Sequence, residues 1–103
     1  MKPYTYEIFM QVPLGTKKGR LTLNKKTGPV TGVLSILGHE QTINGFIDTD
    51  GNCSFDGSIV TITRTINFHA SGKLDGNTLE LEIINDNNHY LLTGTEEKNE
   101  KNI

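Results

Sequence analysis

Three histidines, His39, His69 and His89, are the side chains best suited to bind a metal ion. Imidazole nitrogens are common ligands of zinc and iron, so three converging rings would form a facial site. No two of them are close enough in sequence for a local motif, and His39 and His89 lie near predicted turns. His69 lies within a predicted strand, where inward-facing Phe68 and Ala70 would direct it outward. We predict no metal site and three separate surface histidines, with a three-histidine site as the alternative.

The single cysteine, Cys53, is the second candidate for chemistry. A nucleophilic thiol needs a nearby base and a lowered pKa, and no cysteine-enzyme signature surrounds this residue. Cys53 shares its strand parity with Phe55, which predicts a small core residue. A lone cysteine forms no intramolecular disulfide, and the N-terminal residues contain no apolar signal-peptide core. We therefore expect a cytoplasmic protein in a reducing compartment.

The acidic residues indicate turns and a solvated face rather than a site. The run DTDGN at residues 48–52 is similar to part of a calcium loop but lacks its final bidentate glutamate, so it predicts a turn. Glu80 and Glu82 share one face of a predicted strand, and acid–base catalysis would need a second group placed opposite them. The sequence contains no P-loop, dinucleotide fingerprint or nucleophile elbow. We predict no catalytic residues and no cofactor.

Length and charge limit the possible classes of protein. With 103 residues and 34% hydrophobic residues, the chain has room for one domain, which we place at residues 1–95, followed by a charged, disordered tail at 96–103. The net charge of −2 gives no basic stripe for nucleic acid, and no apolar span predicts a membrane partner. The lysine pairs at 17–18 and 25–26 are interpreted as solvated hairpin ends, with phosphate contact as the alternative.

Period-two alternation of apolar and polar residues predicts an all-β fold. It is clearest over residues 4–12, where Tyr4, Tyr6 and Ile8 share one face. The predicted strands cover residues 4–12, 19–24, 30–37, 41–48, 53–61, 65–74, 78–84 and 89–95. Strands at this even spacing, joined by hairpin-length turns, favour an antiparallel up-and-down meander. Closure of about eight strands into a small barrel would remove both exposed edges.

A resemblance supports this architecture. The segment VPLGTKKG at residues 12–19, the following Leu21-Thr22-Leu23, and the recurrent spacing of glycines between strands resemble a family of small bacterial β-barrel proteins of unknown function. The resemblance covers residues 4–95. In architecture it is similar to the calycins, which include lipocalins and avidins, but the Gly-X-Trp signature is missing and the chain has no tryptophan. The resemblance implies a barrel and transfers neither a ligand nor a site residue.

An eight-stranded barrel encloses enough space for packed side chains or for one small ligand. We expect Arg64 to lie near the mouth of any interior pocket. The six residues expected to line such a pocket are Tyr6, Ile8, Met10, Phe55, Phe68 and Tyr90. The alternative is that these side chains simply fill the core.

Three functions remain open at this stage. The first is non-catalytic binding of a small apolar or amphipathic ligand inside the barrel. The second is a protein-interaction or homodimerising domain, because Phe9, Phe46 and Leu91 are out of phase with the main apolar faces and predict an apolar outer patch. The third is a small barrel enzyme, for which the sequence names neither a base nor a nucleophile.

Overall fold

A computed structural model of the chain describes residues 3–13, 15–36, 38–60, 63, 65–86 and 88–97. These residues form eight strands of similar length. The strands are β1 (Tyr4–Val12), β2 (Gly15–Leu23), β3 (Gly28–Ile36), β4 (His39–Ile47), β5 (Asn52–Val60), β6 (Thr65–Asp75), β7 (Thr78–Asn85) and β8 (Asn88–Glu96).

The eight strands pair in sequence order and close into one antiparallel barrel. The closing contact joins β1 to β8 over six residue pairs, from Tyr6 opposite Glu96 to Gln11 opposite Leu91. The predicted all-β fold, the meander and the closure are therefore confirmed. Because every strand has a partner on both sides, the described sheet has no free edge that could accept a strand from another chain.

Two strands differ from the sequence prediction in ways that their residues explain. β2 begins at Gly15 rather than at residue 19, because Val12 pairs with Gly15 and brings both Lys17 and Lys18 into the strand. The lysine pair therefore lies in the first part of β2, close to the hairpin turn, and both side chains are exposed as predicted. β3 carries apolar residues at positions of both parities, and the structure turns Leu34 inward and Val33 outward.

The core is a single cluster of inward-facing apolar side chains from all eight strands. Large side chains lie opposite glycines on the neighbouring strand: Phe55 is paired with Gly45, and Phe68 with Gly57. A Cβ added to Gly45 would overlap the backbone oxygen of Ser54 and the ring of Phe55. Glycine at these positions lets two aromatic rings fit inside a narrow barrel, since a filled interior tolerates no extra carbon there.

The last strand continues one residue beyond the predicted domain boundary. Glu96 pairs with Tyr6, and the backbone N–H of Glu97 donates to the carbonyl oxygen of Thr5 at 2.8 Å. Residues 96 and 97 are therefore joined to the barrel wall by backbone hydrogen bonds. The rest of the predicted tail, residues 98–103, lies outside the described residues.

Candidate functional site

An apolar cleft lies at the end of the barrel where β1, β3 and β7 finish and where β6 and β8 begin. Its volume is about 180 Å³. Each of these five strands contributes two lining residues. The lining consists of Met10, Val12, Leu34, Ile36, Ile66, Phe68, Ile83, Asn85, Asn88 and Tyr90.

The cleft is apolar inside and neutral and polar at its mouth. Met10, Leu34 and Phe68 are buried and form its inner wall, because they occupy inward positions of their strands. Asn85 and Asn88 pair with each other where β7 passes into β8, and they supply amide groups at the rim. A chamber with an apolar inner wall and a few polar rim groups is typical of a site for a neutral amphipathic molecule.

The structure divides the residues predicted to line a pocket into two groups. Met10, Phe68 and Tyr90 line the cleft. Tyr6, Ile8 and Phe55 also face inward, but they are almost completely buried within the core cluster. Arg64 lies outside the described residues.

The other cleft residues had no predicted role in a pocket. They come from the ends of their strands, where alternation weakens and register alone decides which side chains meet. The sequence feature that could have identified them is the last apolar residue at an inward-facing position in each strand.

Two larger depressions on the outer wall are less suited to an apolar ligand. One, of about 560 Å³, is bordered by Lys73, Asp75 and Glu80, and another, of about 310 Å³, by Glu7, Lys18 and Arg20. Both are open to solvent and bordered by charged side chains. Water competes effectively with any polar ligand at such surfaces, so the smaller apolar cleft is the stronger candidate.

Two ionisable groups are buried away from the cleft. The Tyr6 hydroxyl is fully buried and has no hydrogen-bond partner among the described residues, and burial raises the pKa of Tyr6. Burial also raises the pKa of the Cys53 thiol to about 11, and this thiol donates to the Gly51 carbonyl oxygen at 3.3 Å. A thiol that stays protonated at neutral pH is a poor nucleophile. The interpretation of Cys53 as a small core residue agrees with its burial.

The turn predicted at residues 48–52 is present. One carboxylate oxygen of Asp48 accepts hydrogen bonds from the backbone N–H groups of Asp50 and Asn52, at 2.8 and 2.9 Å. The other oxygen accepts from the Asn52 side chain, and this bond lowers the pKa of Asp48 most. These bonds engage both carboxylate oxygens of Asp48 in holding the turn.

The three histidines lie apart, and the described residues contain no group of three or more side chains that could hold a metal ion. His39 begins β4 at the cleft end. His69 and His89 face outward, and each is paired with a carboxylate. His69 Nδ1 lies 2.8 Å from Asp56 Oδ1, and His89 Nδ1 lies 2.7 Å from Glu82 Oε2.

His69 has a second contact that the sequence does not reveal. Its Nε2 atom lies 3.4 Å from Ser54 Oγ, so one imidazole joins a serine hydroxyl to an aspartate. Asp56 is the direct cross-strand partner of His69, and Ser54 lies two residues before Asp56 on the same face of β5. The contact follows from the register of the β5–β6 hairpin, which places His69 beside two residues that precede it by 13 and 15 positions, Asp56 and Ser54.

The three apolar side chains predicted to be exposed lie in two separate places on the outer wall. Phe9 on β1 pairs with Thr93 and is therefore a diagonal neighbour of Leu91 on β8. Phe46 lies on β4, opposite Pro29 and three strands away from β1. The exposure predicted for Phe9, Phe46 and Leu91 is confirmed, at 41%, 52% and 45%, but the three residues do not form one patch.

Comparison with known proteins identifies no relative: no protein-family model, curated protein or solved structure matches the chain. Among the described residues, no helix is long and apolar enough to cross a membrane.

Proposed function

We propose that this barrel binds a small, neutral, apolar or amphipathic ligand in its end cleft. The observation that carries the proposal is a cleft of about 180 Å³ that five strands line, mostly with apolar side chains. This volume corresponds to about six water molecules, which suits a short aliphatic or small cyclic compound. The barrel of eight strands adds support by analogy, because lipocalins and avidins hold one small ligand in barrels of similar size.

Burial of the apolar wall explains why a ligand would enter. Displacing water from Met10, Leu34 and Phe68 lets these side chains contact another apolar surface, at about 25 cal/mol for each Å² removed from water. Asn85 Nδ2 donates to the Asn67 carbonyl oxygen at 2.6 Å, so Asn85 offers its Oδ1 atom to a ligand hydroxyl, and the Asn88 amide can hydrogen-bond a hydroxyl or carbonyl at the mouth. No charged residue is among the described residues that line the cleft, so an ionised headgroup would lose hydration without gaining a partner.

The experiment is an NMR titration of the full chain with 1-hexanol, followed through backbone amide shifts. We expect saturable shifts confined to the ends of β1, β3, β6, β7 and β8, with a Kd on the order of 1 mM, or about −4 kcal/mol. Hexanoate should bind more weakly at neutral pH. Shifts that spread over the outer wall, or that never saturate, would contradict the proposal.

A matched pair of variants locates the site. Val12→Trp places a large ring at the mouth of the cleft, whereas Val33→Trp places the same ring on the outer wall of β3. Because the natural chain has no tryptophan, each variant also carries a unique fluorophore. Val12→Trp should weaken hexanol binding at least about tenfold, or 1.4 kcal/mol. Its tryptophan should emit at a shorter wavelength than the exposed tryptophan of Val33→Trp. Ile66→Trp provides a second mouth variant if the first fails to fold, and unchanged binding in the mouth variant would argue against the cleft.

A second candidate function is self-association through the outer wall of β1 and β8, where Phe9 and Leu91 are exposed. One row of outward-facing side chains crosses β2, β1, β8 and β7 and consists, in that order, of Lys18, Phe9, Thr93 and Glu80. A twofold axis parallel to β1 and β8 would place Lys18 of one copy opposite Glu80 of the other, around the apolar pair. Opposite charges at the two edges of an apolar centre favour a second copy of this chain as the partner.

Sedimentation tests this second candidate. The wild-type chain should dimerise, and Phe9→Ser should give a monomer, while Phe46→Ser on another part of the wall should leave the dimer intact. Lys18→Glu should weaken the dimer, and adding Glu80→Lys should restore it. A wild-type chain that is monomeric at every accessible concentration would exclude self-association.

A further inference from the structure

We propose that Ser54, His69 and Asp56 form a nucleophilic site on the outer wall, which accepts an acyl group from activated esters. His69 links the other two residues through its two ring nitrogens, with Nε2 at 3.4 Å from Ser54 Oγ and Nδ1 at 2.8 Å from Asp56 Oδ1. A serine, an imidazole and a carboxylate joined in this order are the arrangement that activates a hydroxyl in serine hydrolases. The site is independent of the end cleft.

The hydrogen bonds assign a role to each group. A carboxylate can only accept, so the hydrogen on His69 lies on Nδ1 and is donated to Asp56. Nε2 then carries the free lone pair and accepts the Ser54 hydroxyl hydrogen. Asp56 therefore selects the tautomer in which His69 can act as a general base toward Ser54. A hydroxyl–imidazole contact of 3.4 Å is at the long end of the range, as is common for nucleophile–base pairs before substrate is bound.

Rigid backbone holds the three residues. Ser54 and Asp56 project from the same face of β5, and His69 projects from the paired position of β6. Both strands are interior to a closed sheet, so their positions are fixed by ladders of hydrogen bonds on both sides. On the other flank, Ser54 is paired with Phe46, whose ring is 52% exposed. This ring offers an apolar contact for the acyl or aryl part of a substrate.

The same sheet limits the class of substrate. The backbone N–H groups around Ser54 lie in a sheet that is paired on both sides, so they are engaged in the ladder rather than directed at an oxyanion. Asp56 and His69 are also substantially exposed to water, which weakens their electrostatic effect. The site therefore suits esters with a good leaving group, such as aryl esters, for which little oxyanion stabilisation is needed.

The reaction proceeds in two balanced steps. Ser54 Oγ attacks the ester carbonyl carbon and forms a new C–O bond, while its proton passes to His69 Nε2. The bond from carbon to the leaving oxygen breaks and the phenolate departs, leaving acyl-Ser54, while His69 Nε2 releases its proton to water and becomes neutral again. A second water then attacks the acyl carbon and gives its proton to Nε2. The bond from carbon to Ser54 Oγ breaks, Oγ takes this proton from Nε2, and the carboxylic acid and free Ser54 are released.

The test uses p-nitrophenyl acetate and the full chain. Surface imidazoles react slowly with this ester by themselves, so the comparison between variants decides the result. Ser54→Ala and His69→Ala should each lower the rate about tenfold or more, because the two groups act as a unit. His89→Ala removes a carboxylate-paired surface histidine of the same kind and should have little effect. Ser71→Ala, the outward cross-strand partner of Ser54, serves as the serine control.

Further readouts separate nucleophilic catalysis from a structural effect. Mass spectrometry should find one acetyl group, mapped to Ser54, and this group should be absent from Ser54→Ala. Phe46→Ala should raise KM more than it lowers kcat, and Asp56→Asn should lower kcat. A wild-type rate no faster than that of Ser54→Ala, or an acetyl group found only on other residues, would overturn the proposal. All these positions are on the outer wall, so thermal unfolding can confirm that each variant retains the barrel.

Discussion

The ring of Phe68 on β6 lies against Gly57, its partner on β5, so closely that a Cβ on Gly57 would come within 2.8 Å of Phe68 Cζ. The methyl group of Ile43 approaches the same point from the other side, also at 2.8 Å. Gly57 therefore provides the space in which Phe68 turns into the barrel. Because Phe68 also lines the end cleft, this glycine helps to set the depth of the candidate ligand site.

Gly57→Ala should destabilise the barrel by overpacking. The added carbon has no free space, so Phe68 or Ile43 must move, and we expect a loss of about 1–3 kcal/mol in the free energy of unfolding. The loss should appear in urea unfolding and as a lower Tm. Phe68→Leu in the same chain should recover part of it, since the smaller side chain leaves room for the new methyl group. Equal losses in the two backgrounds would show that the ring is not the obstacle.

The alternation of side chains predicted the fold because most strands carry it clearly. It was silent for the first part of β2, where Gly15, Lys17 and Lys18 contain no apolar signal and pairing with β1 decides the structure. It was ambiguous in β3, because Val33, Leu34 and Ile36 fall at positions of both parities, and Gly32 occupies an inward position that an apolar residue would have marked. Glycines that admit a neighbouring ring are essential to the interior but invisible to a hydrophobic pattern.

The candidate sites were less predictable than the fold. Tyr6, Ile8 and Phe55 have the inward parity of cleft residues, but depth along the barrel depends on how all eight strands are staggered. The contact between Ser54 and His69 depends on the register of one hairpin, and a shift of one residue would turn one of the two inward. A sequence therefore predicts which face of its strand a residue occupies, but not which residues of the neighbouring strands lie beside it.

Tyr6→Phe should leave the barrel as stable as the wild type or stabilise it by up to about 1 kcal/mol. The Tyr6 hydroxyl is fully buried and has no partner among the described residues, so its removal relieves a desolvation cost without breaking a hydrogen bond. Urea unfolding of the two proteins measures the difference, with Tyr4→Phe at the exposed end of β1 as the control. A loss of more than about 1 kcal/mol would mean that a buried water bonds the hydroxyl.

Stability should fall in alkaline solution because Cys53 must keep its proton in the folded barrel. Burial raises the pKa of this thiol to about 11 from an ordinary value of 9.0, so it ionises at lower pH in the unfolded chain. The stabilisation from the bound proton is complete below about pH 9 and disappears as the pH rises to about 11, a loss of about 2–3 kcal/mol.

Cys53→Ala tests the alkaline loss through its slope. The substitution lowers stability at neutral pH because it leaves a small cavity, but the unfolding free energy should depend less on pH between about 9 and 11. Tyr6, whose pKa burial also raises, contributes in the same direction at higher pH. Identical slopes in Cys53→Ala and wild type would show that the thiol is not the responsible group.

Lys26 and Glu96 connect two distant parts of the chain at the end of the barrel opposite the cleft. Lys26 Nζ lies 2.6 Å from Glu96 Oε1 and 4.8 Å above the ring centroid of Tyr4. The side chains of Lys26 and Glu96 are 32% and 20% exposed, so solvent screens this ion pair less than a fully exposed one. Because Glu96 ends β8 and Tyr4 begins β1, the lysine ties the two closing strands together. We expect a coupling energy of about 1 kcal/mol between Lys26 and Glu96.

A double-mutant cycle of Lys26→Met and Glu96→Gln, followed by urea unfolding, measures this coupling. Methionine retains much of the contact with Tyr4 while removing the charge, which separates the ion pair from packing. The matched cycle uses Lys18 and Glu7, which are 2.8 Å apart but 66% and 42% exposed. That pair should give roughly 0.5 kcal/mol or less, and less still in high salt. Equal coupling energies with equal salt dependence in the two cycles would show that the Lys26–Glu96 pair stabilises barrel closure no more than an exposed surface pair does. The backbone pairing of β1 with β8 would then be sufficient to explain closure.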